Sequence, residues 1–520
     1  MLKYFIAIVL WLPFAAGAQT YDLVIVNGRI VDGTGNPWFV GDVGINGGSI
    51  VKVGKITGNA TRTVDATGLI VSPGFIDVHT HIEGNDLKIP TAPNFIHDGV
   101  TTVVTGNCGF SNVDVAKYFF KLDSTKLSVN VATLVGHNSV RREVMGESMR
   151  EPTASEQQQM DDLVKKAMED GAVGFSTGLI YVPGTYSKTE EVISLAKVAA
   201  NKNGVYASHI RSEGDNVLEA IDEALEVGRQ ANMPVEISHF KVTYKPNWGK
   251  SKKTIARIDQ ARKEGIDVTI DQYPYVASST SLNALVPTWV FSGGNDSMTY
   301  RLNTPSIREK IIGEMKSGLK KKKLKNYSYA VVASYPTDTT YNGKNISEIN
   351  VLKGRKSNAV SEAETILDMI VNGRVQMVFF SMNEDDLKYI MRYPFNMFAS
   401  DAGIHSPGST RPHPRGYGTN ARVLGHYVRD EKTITLEDAV RRMTSLPARK
   451  FQLRDRGIIQ EGMAADIVIF DEKNVGDAAT FTNPHLYSKG FEWVIVNGIP
   501  TLEKGIHNEV RNGVVLRKQE

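Results

Sequence analysis

Seven side chains able to bind metal or move protons fall where a short apolar run gives way to a loop. His79 and His81 close GFIDVHTH (74–81), and Cys108, the only cysteine, follows VTTVVTG (100–106). His209 closes GVYASH (204–209), His239 closes PVEISH (234–239), and Asp401 closes NMFASD (396–401). His137 follows SVNVATLVG (128–136), so five of the eleven histidines occupy such a position. His79 and His81 are two apart on a strand and share a face, a half-site for Zn²⁺ or a similar ion. A free cysteine is usually a small buried hydrophobe. Here Asn107 and Gly109 flank Cys108 in a loop, and ligation would shield its thiolate from oxidation. His79, His81, Cys108, His209 and His239 suffice for one tetrahedral site with an open position, or for two ions bridged by the thiolate. Asp401 beside them could take a proton from water and return it to a leaving group.

These residues need a frame that brings distant strand ends to one rim. Eight strand-like runs supply it: the six above, AVGFSTG (172–178) and DVTIDQYPY (267–275). Amphipathic stretches at 155–169, 188–202, 214–230 and 251–265 alternate with them, which predicts a (β/α)₈ barrel over 73–450. Active sites of that fold lie at the C-terminal strand ends. About 120 residues separate the seventh and eighth runs, too many for one βα unit, so an insertion is expected near 285–350. Its lysine run, Lys320–Lys323 with Lys325, reads as a solvated face. Residues 21–72 and 451–520 consist of short alternating strands with Asn-Gly and Gly-Gly turns, and a small β-sandwich built from both chain ends is expected.

Composition narrows the function classes. The chain has 520 residues, 60 Lys+Arg against 57 Asp+Glu, and a net charge of +3. Nothing in that balance favours a nucleic-acid partner. With 41% hydrophobic and 22% charged residues the chain can fill a large core. One cysteine excludes an internal disulfide framework and a Cys₄ or Cys₂His₂ zinc module. Residues 1–18 read as a bacterial-type signal peptide, with Lys3, an apolar run from Phe5 to Phe14, and Ala16-Gly17-Ala18 before the cut. The mature chain is therefore expected outside the cytoplasm, periplasmic or secreted, without a membrane-inserted segment.

The motifs together resemble the amidohydrolase superfamily, through PGFIDVHTH, the strand-end histidines, Asp401 and the closing GMAADIVIFD. The likeness is closer to its D-aminoacylase (N-acyl-D-amino-acid deacylase) branch. There the marks are GVTTVVTGNCGFS, GHNSVRREVMG, GAVGFSTGLIYVPGTYS, YASHIRSEGD, ISHFK, DQYPYVASST and SDAGIHSPGSTRPHPRGYGT. The resemblance implies a metal hydrolase that releases a free D-amino acid from an N-acyl-D-amino acid, with Asp401 as general base and acid. It implies a tight zinc on Cys108, His209 and His239 and a second, weaker site completed by His79 and His81. Hydantoinase-like members instead bridge two metals with a carboxylated lysine on the fourth strand; here that strand ends GFSTG, without lysine.

By the same resemblance Tyr181, Lys241, Tyr273, Ser279 and Arg415 hold the substrate carboxylate and acyl carbonyl; Arg411, four residues earlier, competes with Arg415. His137 and Arg141 are expected to support the site from behind. SLNALVPTWVFSGG (281–294) contains no cation, which favours neutral or apolar D-side chains. A dipeptide or cyclic-amide hydrolase on the same frame is the alternative, and a non-catalytic relative would have lost a ligand or the base.

Overall fold

The computed structural model describes residues 20–518. The expected signal peptide lies outside them. Among the described residues no helix is long and apolar enough to cross a membrane.

Eight parallel strands form the barrel: β1 (Phe75–Asp77), β2 (Val100–Thr105), β3 (Asn130–Gly136), β4 (Gly174–Gly178), β5 (Val205–His209), β6 (Val235–Ile237), β7 (Val268–Gln272) and β8 (Asn396–Phe398). Each is hydrogen-bonded to the next in sequence order. A parallel bridge between Thr80 and Ala402 closes the ring just past β1 and β8. His81 N–H donates to Ala402 O and Asp401 N–H to His79 O, both at 2.9 Å, so closure fixes the first histidines against the aspartate. Strand alternation sorts the apolar side chains into two clusters. Val103, Val131, Phe175, Tyr206 and Phe398 join the cluster that contains the helix faces. Val104, Ala132, Leu134, Ala207 and Met397 join one another and Leu446, Phe451 and Leu453.

The four anticipated helices are Ala154–Glu169, Thr189–Ala200, Val217–Ala231 and Ser251–Lys263. The first starts at a capping box, with the Thr153 hydroxyl accepting from Glu156 N–H and the Glu156 carboxylate accepting from Thr153 N–H. It buries Met160, Val164, Ala167 and Met168, one face at helical spacing.

Both chain ends meet in one nine-stranded sheet, where Ile467–Phe470 pairs antiparallel with Ile70–Pro73. The sheet curls back on itself, for Ile50 N–H donates to Met463 O at 2.8 Å. One core takes Ile25, Val43, Ile45 and Val71 from the first end and Ile467, Ile469 and Ile495 from the second. The expected sandwich is thus a single curled sheet. Its C-terminal boundary differs from the expected 451–520: the tail leaves it, and Leu516 N–H donates to Val131 O on β3.

The insertion is wider than 285–350. It opens at Ser278–Ser281, which pairs with Gln376–Phe379, itself paired with Ala330–Ser334. Leu282, Val290, Ile311, Met315, Ile346, Ile366 and Met377 make its own core. Polar SSTS carries no alternation to mark a strand, and the QMVF run looks like any barrel strand, which hid both boundaries.

Candidate active site

The residues expected to bind metal converge at the C-terminal rim. Cys108 Sγ lies 3.3 Å from His79 Nε2, 3.5 Å from His209 Nδ1 and 3.7 Å from His239 Nε2. His239 Nε2 and His209 Nδ1 are 2.6 Å apart. His81 Nε2 is 3.2 Å and His79 Nε2 3.6 Å from Asp401 Oδ1. Three overlapping donor groups result, His79/His81/Cys108, Cys108/His209/His239 and His79/His239/Asp401, each with its ligand atoms within 4.8 Å of one another. Imidazole nitrogens turned on one thiolate are the donor chemistry of zinc, so the residues fit that ion.

The backbone is bent to achieve this. Cys108 (φ 52°), His239 (φ 37°) and Asp401 (φ 49°) all take the left-handed conformation. Such conformations are uncommon outside glycine and cluster where a site demands a set direction.

Carboxylates the sequence reading did not single out hold the ligands from behind. Asp271, on β7, accepts from His79 Nδ1–H at 3.2 Å and from His239 N–H at 2.9 Å. Glu213 lies 3.0 Å from His239 Nδ1 and pairs with Lys241 Nζ. A carboxylate behind a ligating histidine fixes its tautomer and ring direction. The signal was present in HIRSE, a glutamate four residues after a ligand histidine, but only the fold of that loop returns it to the next strand's histidine.

Charge in the cluster is strongly coupled. Burial alone would raise the Cys108 thiol, but His79, His209 and His239 outweigh it and hold it well below the usual thiol range. Burial opposes ionisation of Asp401 too, yet Arg415 and the imidazoles of His79 and His81 keep its carboxyl well below the carboxylate range. Burial is likewise overcome at Glu213, where Lys241, His239 and His209 lower the carboxyl.

The residues assigned to substrate divide as follows. Tyr181, Lys241, Tyr273 and Ser279 line a cavity of about 360 Å³ that also exposes His209, His239 and Asp401. The Thr280 hydroxyl donates to the Tyr181 hydroxyl at 3.1 Å. The Arg415 guanidinium stacks 4.4 Å over the Tyr273 ring, and its Nη1 lies 2.9 Å from Asp401 Oδ2. The Ser279 hydroxyl donates to Met377 O at 2.8 Å inside the insertion's sheet. Arg411 is held away, its Nη1–H donating to Thr410 O, so Arg415 is the arginine at the site. His137 and Arg141 do not support the metal ligands. Both turn to Glu191 on the helix Thr189–Ala200, with His137 Nε2 at 2.8 Å, in a buried ion cluster that ties that helix to the helix His137–Met145 after β3.

Comparison with known proteins agrees with this geometry. The amidohydrolase family matches over residues 62–286 and 323–501. The N-acyl-D-glutamate deacylase of Alcaligenes xylosoxydans xylosoxydans is 36% identical, over 96% of this chain and 97% of its own length. The D-aminoacylase of the same organism is 34% identical, over 96% and 98%. The crystal structure of N-acyl-D-glutamate deacylase from Bordetella bronchiseptica, complexed with zinc and a phosphonate mimic of the tetrahedral intermediate, superposes with a TM-score of 0.82. That protein is 35% identical, over 96% of this chain and all of that one.

Proposed function

The chain belongs to the amidohydrolase family, and from that premise we propose that it is a zinc-dependent hydrolase of N-acyl-D-amino acids, releasing a carboxylate and a free D-amino acid. The observation that carries this is Asp401, held 3.2 Å and 3.6 Å from the two first-strand imidazoles and 2.9 Å from Arg415, at the mouth of a Cys/His/His donor set. Relatives of the same length and frame are N-acyl-D-amino-acid deacylases.

Cys108, His209 and His239 would hold the tight zinc, and His79 and His81 with Cys108 a weaker second ion. Bound zinc supplies Lewis-acid polarisation of the acyl carbonyl and brings the pKa of water from 15.7 to about 7. Asp401 takes the proton from the attacking water, for which its depressed pKa keeps it ionised. It then delivers that proton to the amine nitrogen as the C–N bond breaks. Arg415 presents its guanidinium fork to the substrate carboxylate. Tyr273 beneath it and Lys241 beside it add a hydroxyl donor and a charge. Glu213 keeps Lys241 and His239 in place.

The test is release of free amino acid from N-acetyl-D-methionine and N-acetyl-L-methionine by purified protein of counted zinc content. D-selective turnover with near-stoichiometric zinc is expected. Zinc without turnover of these or of N-acetyl-D-glutamate would overturn the substrate assignment. We further propose export, on the strength of the leader-like residues 1–18; N-terminal sequencing that finds Met1 on the mature protein would overturn it.

A further inference from the structure

The lysine run of the insertion is not wholly a solvated face. Lys320, Lys321, Lys323 and Lys325 are exposed, but Lys322 is half-buried. It caps the C-terminus of the helix Pro305–Lys321, where a cation suits the helix dipole. Its ammonium sits 4.4 Å over the Tyr244 ring. From there it lines the active-site cavity. A second cavity of about 190 Å³ adjoins the first and shares Ala284, Leu285 and Lys322 with it. Lys322 therefore stands at the junction, with Met315, Leu319, Tyr327 and Tyr329 beyond it, and with Glu314, whose carboxylate accepts from Trp289 Nε1–H at 3.0 Å.

The other cations of this cavity already have carboxylate partners. Arg211 pairs with Glu223 and Lys241 with Glu213. Arg415, beside the cavity, pairs with Asp401. Lys322 has no carboxylate partner among the described residues. Asp215, also on the wall, accepts from Asn247 Nδ2–H at 2.9 Å. A half-desolvated ammonium held by an aromatic face, with no carboxylate at ion-pair distance, is placed to receive an anion. Moreover, residues 287–322 are the stretch over which the family match breaks, so this cation belongs to the part of the chain outside that match.

We propose that Lys322 binds a second carboxylate of the substrate, remote from the scissile amide, and so sets a preference for dianionic N-acyl-D-amino acids. The assignment rests on the deacylase reading above. It replaces the expectation of neutral side chains, which considered only residues 281–294. Either an acidic D-side chain or a dicarboxylic acyl group presents this chemistry.

The experiment compares kcat/KM within two matched pairs: N-acetyl-D-glutamate against N-acetyl-D-glutamine, and N-succinyl-D-alanine against its N-succinamoyl counterpart. The wild-type protein should favour the dianion in one pair by about tenfold or more, the scale of a charge-assisted contact. The pair showing it identifies which end of the substrate Lys322 reads. Lys322→Gln should bring that ratio to near one, Lys322→Glu should invert it, and Lys322→Arg should retain it. A purely structural role for Lys322 would move both members of a pair together and leave the ratio intact. No dianion preference in either pair, or a ratio indifferent to Lys322→Gln and Lys322→Glu, overturns the assignment while turnover of N-acetyl-D-glutamine upholds the deacylase. Turnover of none of the four by zinc-loaded protein overturns both.

Discussion

Replacing Asp401 by Asn removes the proton acceptor while keeping the residue's shape and its place in the turn. Asparagine has nearly the same shape and tolerates the left-handed backbone at φ 49°, so the turn after β8 survives. The amide can still accept from His81, which lies 3.2 Å from Oδ1. What disappears is a proton acceptor that must act twice, on water and then on the leaving nitrogen. General acid–base catalysis contributes about 10²–10⁴ in rate, or roughly 3–5 kcal/mol of barrier. With both transfers assigned to one carboxylate, kcat should fall toward the upper end, by about 10³–10⁴. A second effect opposes folding, because Arg415 is buried and loses its partner; breaking a buried pair costs about 3–5 kcal/mol. The variant should therefore melt earlier, and turnover must be measured at 25 °C on protein shown to be folded. Zinc should stay near wild-type level, since Cys108, His209 and His239 are untouched. The assay is amine release from N-acetyl-D-methionine beside metal counting on the same sample. Activity within threefold of wild type would refute the base assignment. Loss of activity that tracks loss of zinc would refute the separation of Asp401 from the tight site.

Three further outcomes follow from the same geometry. Cys108→Ser exchanges a thiolate, held ionised by His79, His209 and His239, for a hydroxyl that keeps its proton; zinc should drop below one per chain and activity with it, and full zinc content would contradict thiolate ligation. Glu213→Gln removes the charge behind His239 and Lys241 and should weaken zinc affinity or activity by about 10–100-fold, read by chelator competition; an unchanged affinity and rate would dismiss its positioning role. Glu191→Gln should destabilise the protein by about 3 kcal/mol without changing turnover per folded molecule, since the carboxylate serves only buried Arg141 and His137. Burial raises the Glu191 carboxyl but His137 and Arg141 lower it further, so its net stabilisation is full above the ordinary glutamate range and lost as pH falls through the depressed value. The variant should accordingly lose part of the acid sensitivity seen in wild-type melts, and identical melting profiles from pH 3 to 7 would refute this.

Much of the frame and the centre of the site were legible because both obey short-range rules. Strand alternation puts His79 and His81 on one face, and the barrel rule carries every strand end to a common rim. Those two facts suffice to assemble His79, His81, Cys108, His209, His239 and Asp401 from five distant segments. Residues whose role depends on a loop's path were not legible. Glu213 reads as one of two acids in RSEGD until the loop turns it onto His239, and Asp271 reads as a polar strand position until β7 lies beside His79. His137 and Arg141 misled because they stand near the rim in sequence, while their partner Glu191 comes from a helix one βα unit later. Lys322 was hidden by its neighbours, since four consecutive lysines look equivalent and only tertiary packing selects one for the cavity wall.

Asp401 and Arg415, the proposed base and carboxylate-binding arginine, sit at the two ends of one loop, 402–414, and that loop has no strand or helix of its own to stiffen it. Its conformation is imposed from outside. Arg411 N–H donates to Ala333 O at 2.7 Å and Asn342 Nδ2–H donates to Ser409 O at 3.2 Å, both from the insertion. From the C-terminal segment, His485 Nε2–H donates to Thr410 O at 2.9 Å. His413 donates from Nε2 to Ala277 O at 2.9 Å and accepts Arg415 N–H on Nδ1 at 3.0 Å. Only a neutral imidazole can do both, and burial together with Arg415 lowers its pKa well below the usual range. Asn94, on the helix Pro93–Ile96, donates from Nδ2–H to Gly403 O at 3.2 Å and accepts His405 N–H on Oδ1 at 3.0 Å. Barrel, insertion and C-terminal segment thus each fix one stretch of the segment that sets the Asp401–Arg415 spacing. Placing a reacting group to within about 0.5 Å requires such support from rigid elements. The insertion therefore meets the chemistry in two ways: residues such as Ser279 and Lys322 face the cavity directly, and its bonds to Ser409 and Arg411 act through the loop.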